Sequence, residues 1–72
     1  MQTSLPDGAR FMRAPEVIDR CGIKRSTLWE AVKRGTFPAP VRIGPNATAW
    51  ISTEVESWMR DRIRESREQQ AA

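Results

Sequence analysis

The chain has 72 residues and a net charge of +3 at neutral pH, twelve Lys and Arg against nine Asp and Glu. That length forms one small domain, which buries only roughly 60% of its unfolded surface and has no room for an enclosed substrate cavity. With no His and one Cys, a zinc site of about four Cys/His ligands, an internal disulfide and an imidazole-based triad are excluded. No cofactor, no metal, no small-molecule substrate and no enzymatic reaction are expected.

Residues 1 to 10, MQTSLPDGAR, are polar and read as a flexible arm. They lack the basic start and apolar run of a signal peptide, and no stretch approaches the ~20 apolar residues of a membrane span. A soluble, cytoplasmic chain is expected. Phe11 and Met12 open the ordered domain and are expected to pack under the first helix. Pro15 suits a first helical turn, where its missing N–H costs nothing. Val17, Ile18 and Cys21 share a face at helical spacing, and Gly22 is a stop, so a short helix is predicted over about Pro15 to Cys21. Cys21 is expected to be a small core residue.

Ile23 bridges a tight turn to a second helix over about Arg25 to Arg34. Leu28, Ala31 and Val32 face inward, and Arg25, Ser26, Trp29, Glu30 and Lys33 face out. Gly35 ends the helix, and Lys33 and Arg34 in the last turn suit its negative end. The prolines of Thr36-Phe37-Pro38-Ala39-Pro40 force extended backbone, and Phe37 is expected to plug the gap beside the helix pair. Val41-Arg42-Ile43 alternates apolar, basic, apolar; Gly44-Pro45-Asn46 is a turn; Thr48-Ala49-Trp50 is the return strand. Thr53-x-x-Glu56 is a capping box predicted to open the last helix. Val55, Trp58, Met59 and Ile63 form its inward stripe, and Trp50 and Trp58 are expected core anchors. The rest of that helix reads as a solvated face laced with ion pairs. The domain is expected over 11–66, with a frayed tail over 67–72.

Charge is unevenly spread. Residues 20 to 42 hold Arg20, Lys24, Arg25, Lys33, Arg34 and Arg42 against Glu30 alone, whereas from Ile51 onward five acids outnumber four Arg. A positive field focused on the middle of the chain attracts a polyanion. The two short helices joined around Gly22 have the outline of a helix-turn-helix. Helix, turn, helix, hairpin, helix is the order of a winged helix-turn-helix: mainly α, three helices plus a two-stranded antiparallel wing.

RAPEVIDRCGI, RSTLWEAVKRGTFPAPVRIG and AWISTEVESWM, in that order from Phe11 to Met59, resemble the AlpA-type family of small phage and mobile-element regulators, relatives of excisionases and of the MerR-like DNA-binding domain. The resemblance implies a double-stranded DNA partner and two uses. One is a transcriptional regulator; the other is an excisionase, or recombination directionality factor, that works with an integrase and with further copies of itself on DNA. It also implies that Arg25, Ser26, Trp29, Glu30 and Lys33 face DNA, with Arg42 and the turn from Gly44 to Thr48 as the wing.

The chemistry agrees with that reading. Arg25, near the start of a reading helix, can fork onto guanine O6 and N7, and Glu30 either accepts from cytosine N4 or only repels wrong sequences. Ser26 and Thr27 can donate to phosphate or base edges, while Lys33 and Arg34 suit phosphate. Three positions depart from the family pattern. Lys24 stands where a Ser usually caps the reading helix, Trp29 where Tyr is common, and Asn46 where relatives carry a wing-tip Arg. Lys24 loses a cap and sets a cation at the positive helix end, which a bound phosphate would relieve. Asn46 remains able to reach phosphate or the minor groove, and Thr48 is counted with the wing among the DNA-binding residues. Two readings of Arg42 stay open: a surface pair with Glu30, or a DNA contact. The competing function is a protein-interaction adaptor or antitoxin-like module, using the basic face with Trp29 as anchor.

Overall fold

A computed structural model of the chain describes residues 8–71; residues 1–7 of the expected arm, and Ala72, lie outside them. The elements in order are β1 (Phe11–Met12), α1 (Ala14–Cys21), α2 (Arg25–Arg34), β2 (Val41–Gly44), β3 (Ala47–Ile51) and α3 (Ser52–Ala71). This is the winged helix-turn-helix arrangement, mainly α, but its sheet has three antiparallel strands in the order β1-β3-β2.

The third strand corrects the two-stranded expectation. Phe11 pairs with Ile51 and Met12 with Trp50, and alternation along a strand sends those two side chains to opposite faces. Met12 is therefore buried, while Phe11 stays 42% exposed rather than packing under α1. Arg10 is likewise not part of a loose arm. Its N–H donates to Ser52 Oγ (2.8 Å), its carbonyl accepts from Ser52 N (2.8 Å), and its guanidinium pairs with Glu16.

Both helices of the pair end as their glycines dictate. Gly22 (φ 68°) and Gly35 (φ 82°) take the left-handed conformation that side chains resist. Past α2, the Thr36 N–H returns to Ala31 O (2.9 Å) and the Gly35 N–H to Val32 O (3.1 Å), which satisfies the last carbonyls and turns the chain sharply.

α3 follows β3 without a loop, so it opens at Ser52 and not with Thr53 as cap. The side chain that works there is Ser52, buried and holding Arg10. Its inward stripe also ends one turn early. Val55 is buried and Trp58 and Met59 are half-buried, but Ile63 is 48% exposed because the core stops before it. The helix is continuous to Ala71, past the point where fraying is expected, and carries the intrahelical pairs Arg62–Glu65 (2.6 Å) and Arg64–Asp61 (2.9 Å).

Met12, Val17, Leu28, Phe37, Trp50 and Val55 form one buried cluster. Phe37 is its hub, with its ring 6.4 Å from that of Trp50 and 4.7 Å from that of Trp58. The Pro-rich segment after α2 belongs to neither helix nor sheet, so its carbonyls need other donors. Two indoles supply them. Trp58 Nε1 donates to Thr36 O (2.7 Å) and Trp50 Nε1 to Pro38 O (2.8 Å). This sets the distance between α2 and the wing.

Candidate nucleic-acid interface

Leu28 is the buried residue of α2, with Ala31 and Val32 half-buried beside it. At about 100° per residue, Ser26, Glu30 and Lys33 lie opposite Leu28, with Trp29 and Arg25 along one flank and Arg34 and Thr27 along the other. All seven are exposed. Lys24 precedes the helix in extended conformation and makes no side-chain cap, and no acid stands in the first turn. The positive end of α2 is therefore open to an anion beside the hydroxyls of Ser26 and Thr27.

The wing is built by a misfit. Pro45 and Asn46 form a two-residue turn between Gly44 and Ala47. Proline holds a negative φ, and Asn46 is not left-handed either, so the turns that suit a two-residue hairpin are unavailable. The register shifts between Arg42 and Gly44, leaving Ile43 as the extra residue of a bulge. That overturns the simple alternation expected for Val41-Arg42-Ile43: Ile43 is 41% exposed. The slip also puts Arg42 opposite Thr48 instead of Ala49. A one-residue offset decides which face a strand shows, so Arg42 and Thr48 form one exposed cross-strand pair, with Asn46 exposed at the tip.

Thr48 and Trp50 lie two residues apart on β3 and so share a face of the sheet. On that face Trp29 of α2 rests against Trp50, ring centroids 5.3 Å apart and tilted by 55°. Helix and wing are thus joined on one side of the molecule. Trp29 remains 40% exposed although its inner side packs on a buried ring.

The ion pairs sort the cations. Arg20 turns away to Glu56 of α3 (3.4 Å), and Arg34 pairs with Glu30 (3.6 Å). Glu30 therefore bonds along its own helix and not to Arg42. Arg42 Nη1 instead donates to Pro45 O (3.2 Å), bracing the wing turn. Among the described residues, Lys24, Arg25 and Lys33 have no carboxylate partner. The arrangement offers cationic and hydroxyl donors around an aromatic ridge. Among the described residues, no three His, Cys, Asp or Glu side chains gather as a metal site, and no helix is long and apolar enough to cross a membrane.

Sequence reasoning did not see the bulge or the placement of Arg42 opposite Thr48. The signal available was Pro45 in a two-residue loop, which is incompatible with an unbulged hairpin.

The family model described as the prophage CP4-57 regulatory protein (AlpA) matches residues 10–63. The chain belongs to the AlpA family. The match begins at Arg10, the residue tied to Ser52, and spans both helices, the wing and the packed part of α3. Among similar proteins, "uncharacterized protein ORF88" of Enterobacteria phage P4 is 46% identical over 61 residues, covering 82% of this chain and 69% of that protein. The "DNA-binding transcriptional activator AlpA" of Escherichia coli strain K12 is 28% identical over 61 residues, covering 76% of this chain and 87% of that one. No solved structure matches the chain.

Proposed function

We propose that this AlpA-family protein is a sequence-specific double-stranded DNA-binding regulator of a phage or mobile element, acting by occupancy and without chemistry of its own. α2 enters the major groove, and the wing lies against the adjacent backbone. Arg25, with Ser26, Thr27, Trp29 and Glu30, reads or covers base edges, while Lys24, Lys33, Arg34, Arg42, Asn46 and Thr48 position the duplex.

One observation carries this reading: the Trp29–Trp50 contact puts the reading helix and the Arg42–Thr48 wing pair on one side. Among the described residues, three cations without carboxylate partners, Lys24, Arg25 and Lys33, stand on or before that helix. The E. coli relative, named as a DNA-binding transcriptional activator, adds support from outside the geometry. A single module of this kind buries ~600–1,000 Å² on DNA, so further copies on neighbouring sites would supply the remaining affinity.

Selection of bound duplexes from a random pool, followed by titration of the best sequence at several salt concentrations, tests the reading. The expected result is one enriched motif and a log–log salt slope of several units. No enrichment, or a slope near zero, overturns it. The finer role is read by footprinting across the element in cells. Sites at an integrase promoter assign regulation; sites at an attachment end, with excision lost in the deletion, assign a directionality factor.

A further inference from the structure

Five of the nine charged residues of α3 fall in two stripes of the same spacing, one acidic and one basic. Glu54, Ser57, Trp58 and Asp61 follow the i, i+3, i+4, i+7 pattern and line an open groove of about 640 Å³, whose far wall includes Pro38 and Pro40. Six positions further on, Arg60, Ile63, Arg64 and Arg67 repeat the pattern around a second, apolar depression, which Glu68 also lines. Six residues at about 100° each set the stripes roughly 120° apart around the helix, so each faces a different direction.

Among the described residues, one ion pair links the stripes: Arg64 donates to Asp61 (2.9 Å). Among the described residues Glu54, Arg60 and Arg67 have no ionic partner. Ile63 stands exposed between the arginines. On the acidic side, Trp58 is half-buried, with Arg62 over its ring (5.8 Å to the centroid).

We infer that the arginine stripe of α3 docks into the acidic, proline-walled groove of a second copy of this chain. Charge and spacing both match. The two acids and the two outer arginines are each seven residues, or about 10.5 Å, apart. With the helices antiparallel, Arg60 meets Asp61, Ile63 meets Trp58, Arg64 meets Ser57 and Arg67 meets Glu54 of the next copy. Pairing of the arginine stripe with itself is disfavoured, because it would bring three cations against three. Two different surfaces in contact make a heterologous interface, which adds copies one after another instead of closing a dimer.

Exposed ion pairs are individually weak, so the contact is sparse in dilute solution and becomes populated when neighbouring sites raise the effective concentration. That role on DNA rests on the DNA-binding reading above.

The test uses the full chain on duplexes carrying one or two adjacent sites, and sedimentation of the free protein near millimolar concentration. Wild-type protein should bind the two-site duplex with cooperativity of about tenfold and self-associate in a salt-sensitive way. Arg60→Glu with Arg67→Glu should abolish both while leaving one-site affinity and helix content unchanged. Glu54→Arg with Asp61→Arg should do the same, and all four changes in one chain should restore both. Failure of the fourfold swap to restore association overturns the pairing, as does a fall in one-site affinity for Arg60→Glu with Arg67→Glu, which would place those arginines on DNA. If the wild-type chain binds no duplex at all, the DNA reading falls. The sedimentation series then decides the pairing alone.

Discussion

Trp29 and Trp50 form the joint between the reading helix and the wing: 5.3 Å between ring centroids, one indole 40% exposed and the other fully buried. The two should respond differently to truncation. Trp50→Ala removes a core ring and its bond to Pro38 O (2.8 Å), at a cost of roughly 3–5 kcal/mol. A core of this size supplies about that much in total, so the variant should be largely unfolded by circular dichroism. Trp29→Ala forfeits one aromatic contact, roughly 0.5–1.5 kcal/mol beyond its area. It should stay folded with a lowered Tm, yet lose affinity for duplex DNA. Wild-type affinity in a folded Trp29→Ala protein would remove the ridge from the interface.

The bounds of α2 were legible because several local signals agree there: the inward Leu28, the Lys33-Arg34 end and the Gly35 stop. The start of α3 was not. Thr53-x-x-Glu56 satisfies a capping pattern locally, but Ser52 takes the position through bonds to Arg10, 42 residues away in sequence. The third strand was hidden for the same reason, since two residues have no periodicity and Phe11–Met12 becomes a strand only by pairing with β3. The site shows a similar split. Exposed Arg25 and Lys33 follow from helical spacing, whereas the cross-strand Arg42–Thr48 pair depends on a bulge that only the folded hairpin reveals.

Arg25 and Lys33 separate base reading from backbone contact. Arg25→Ala should cost ~1–3 kcal/mol on the preferred site and flatten the preference at one position of the selected motif. Lys33→Ala should weaken all sequences alike and reduce the salt slope by about one. Salt titrations on the best site and on a scrambled duplex distinguish the two. Equal behaviour of both variants would leave Arg25 as a phosphate contact.

Trp58→Phe isolates a hydrogen bond from its ring. The indole N–H donates to Thr36 O at 2.7 Å while the ring packs on Phe37. Phe keeps most of the ring and leaves the carbonyl near enough to the surface to take water. A loss of ~0.5–1.5 kcal/mol in urea unfolding is expected, with the m-value unchanged. A smaller loss would mean that the indole bond does not hold the segment after α2.

Acid should act on the tie between Arg10, just before β1, and Glu16 of α1. A hydrogen bond from Arg10, with the charges of Arg10 and Arg20, holds the Glu16 carboxyl below its usual range, against a smaller opposing effect of desolvation. A carboxyl lowered on folding adds stability above its unfolded pKa and loses it as pH falls through the folded value. Glu16→Gln should therefore melt below wild type at neutral pH, and the two Tm curves should converge in acid. Curves that stay parallel would show that the pair adds nothing, as exposed pairs often do.

Lys24 offers the sharpest separation of stability from function. It precedes α2 without capping it and sets a cation beside open helix N–H groups, an arrangement unfavourable in the free protein. Lys24→Ser would provide a hydroxyl acceptor and remove the repulsion, so the free domain should gain about 1 kcal/mol. If a DNA phosphate fills that position in the complex, the same substitution should weaken binding and lower the salt slope, because one fewer cation displaces counterions. Thermal melts and salt titrations of one variant thus move in opposite directions. A variant that gains stability and binds as well as wild type would mean that the start of α2 lies away from the duplex, and the docking of the reading helix would need to be turned.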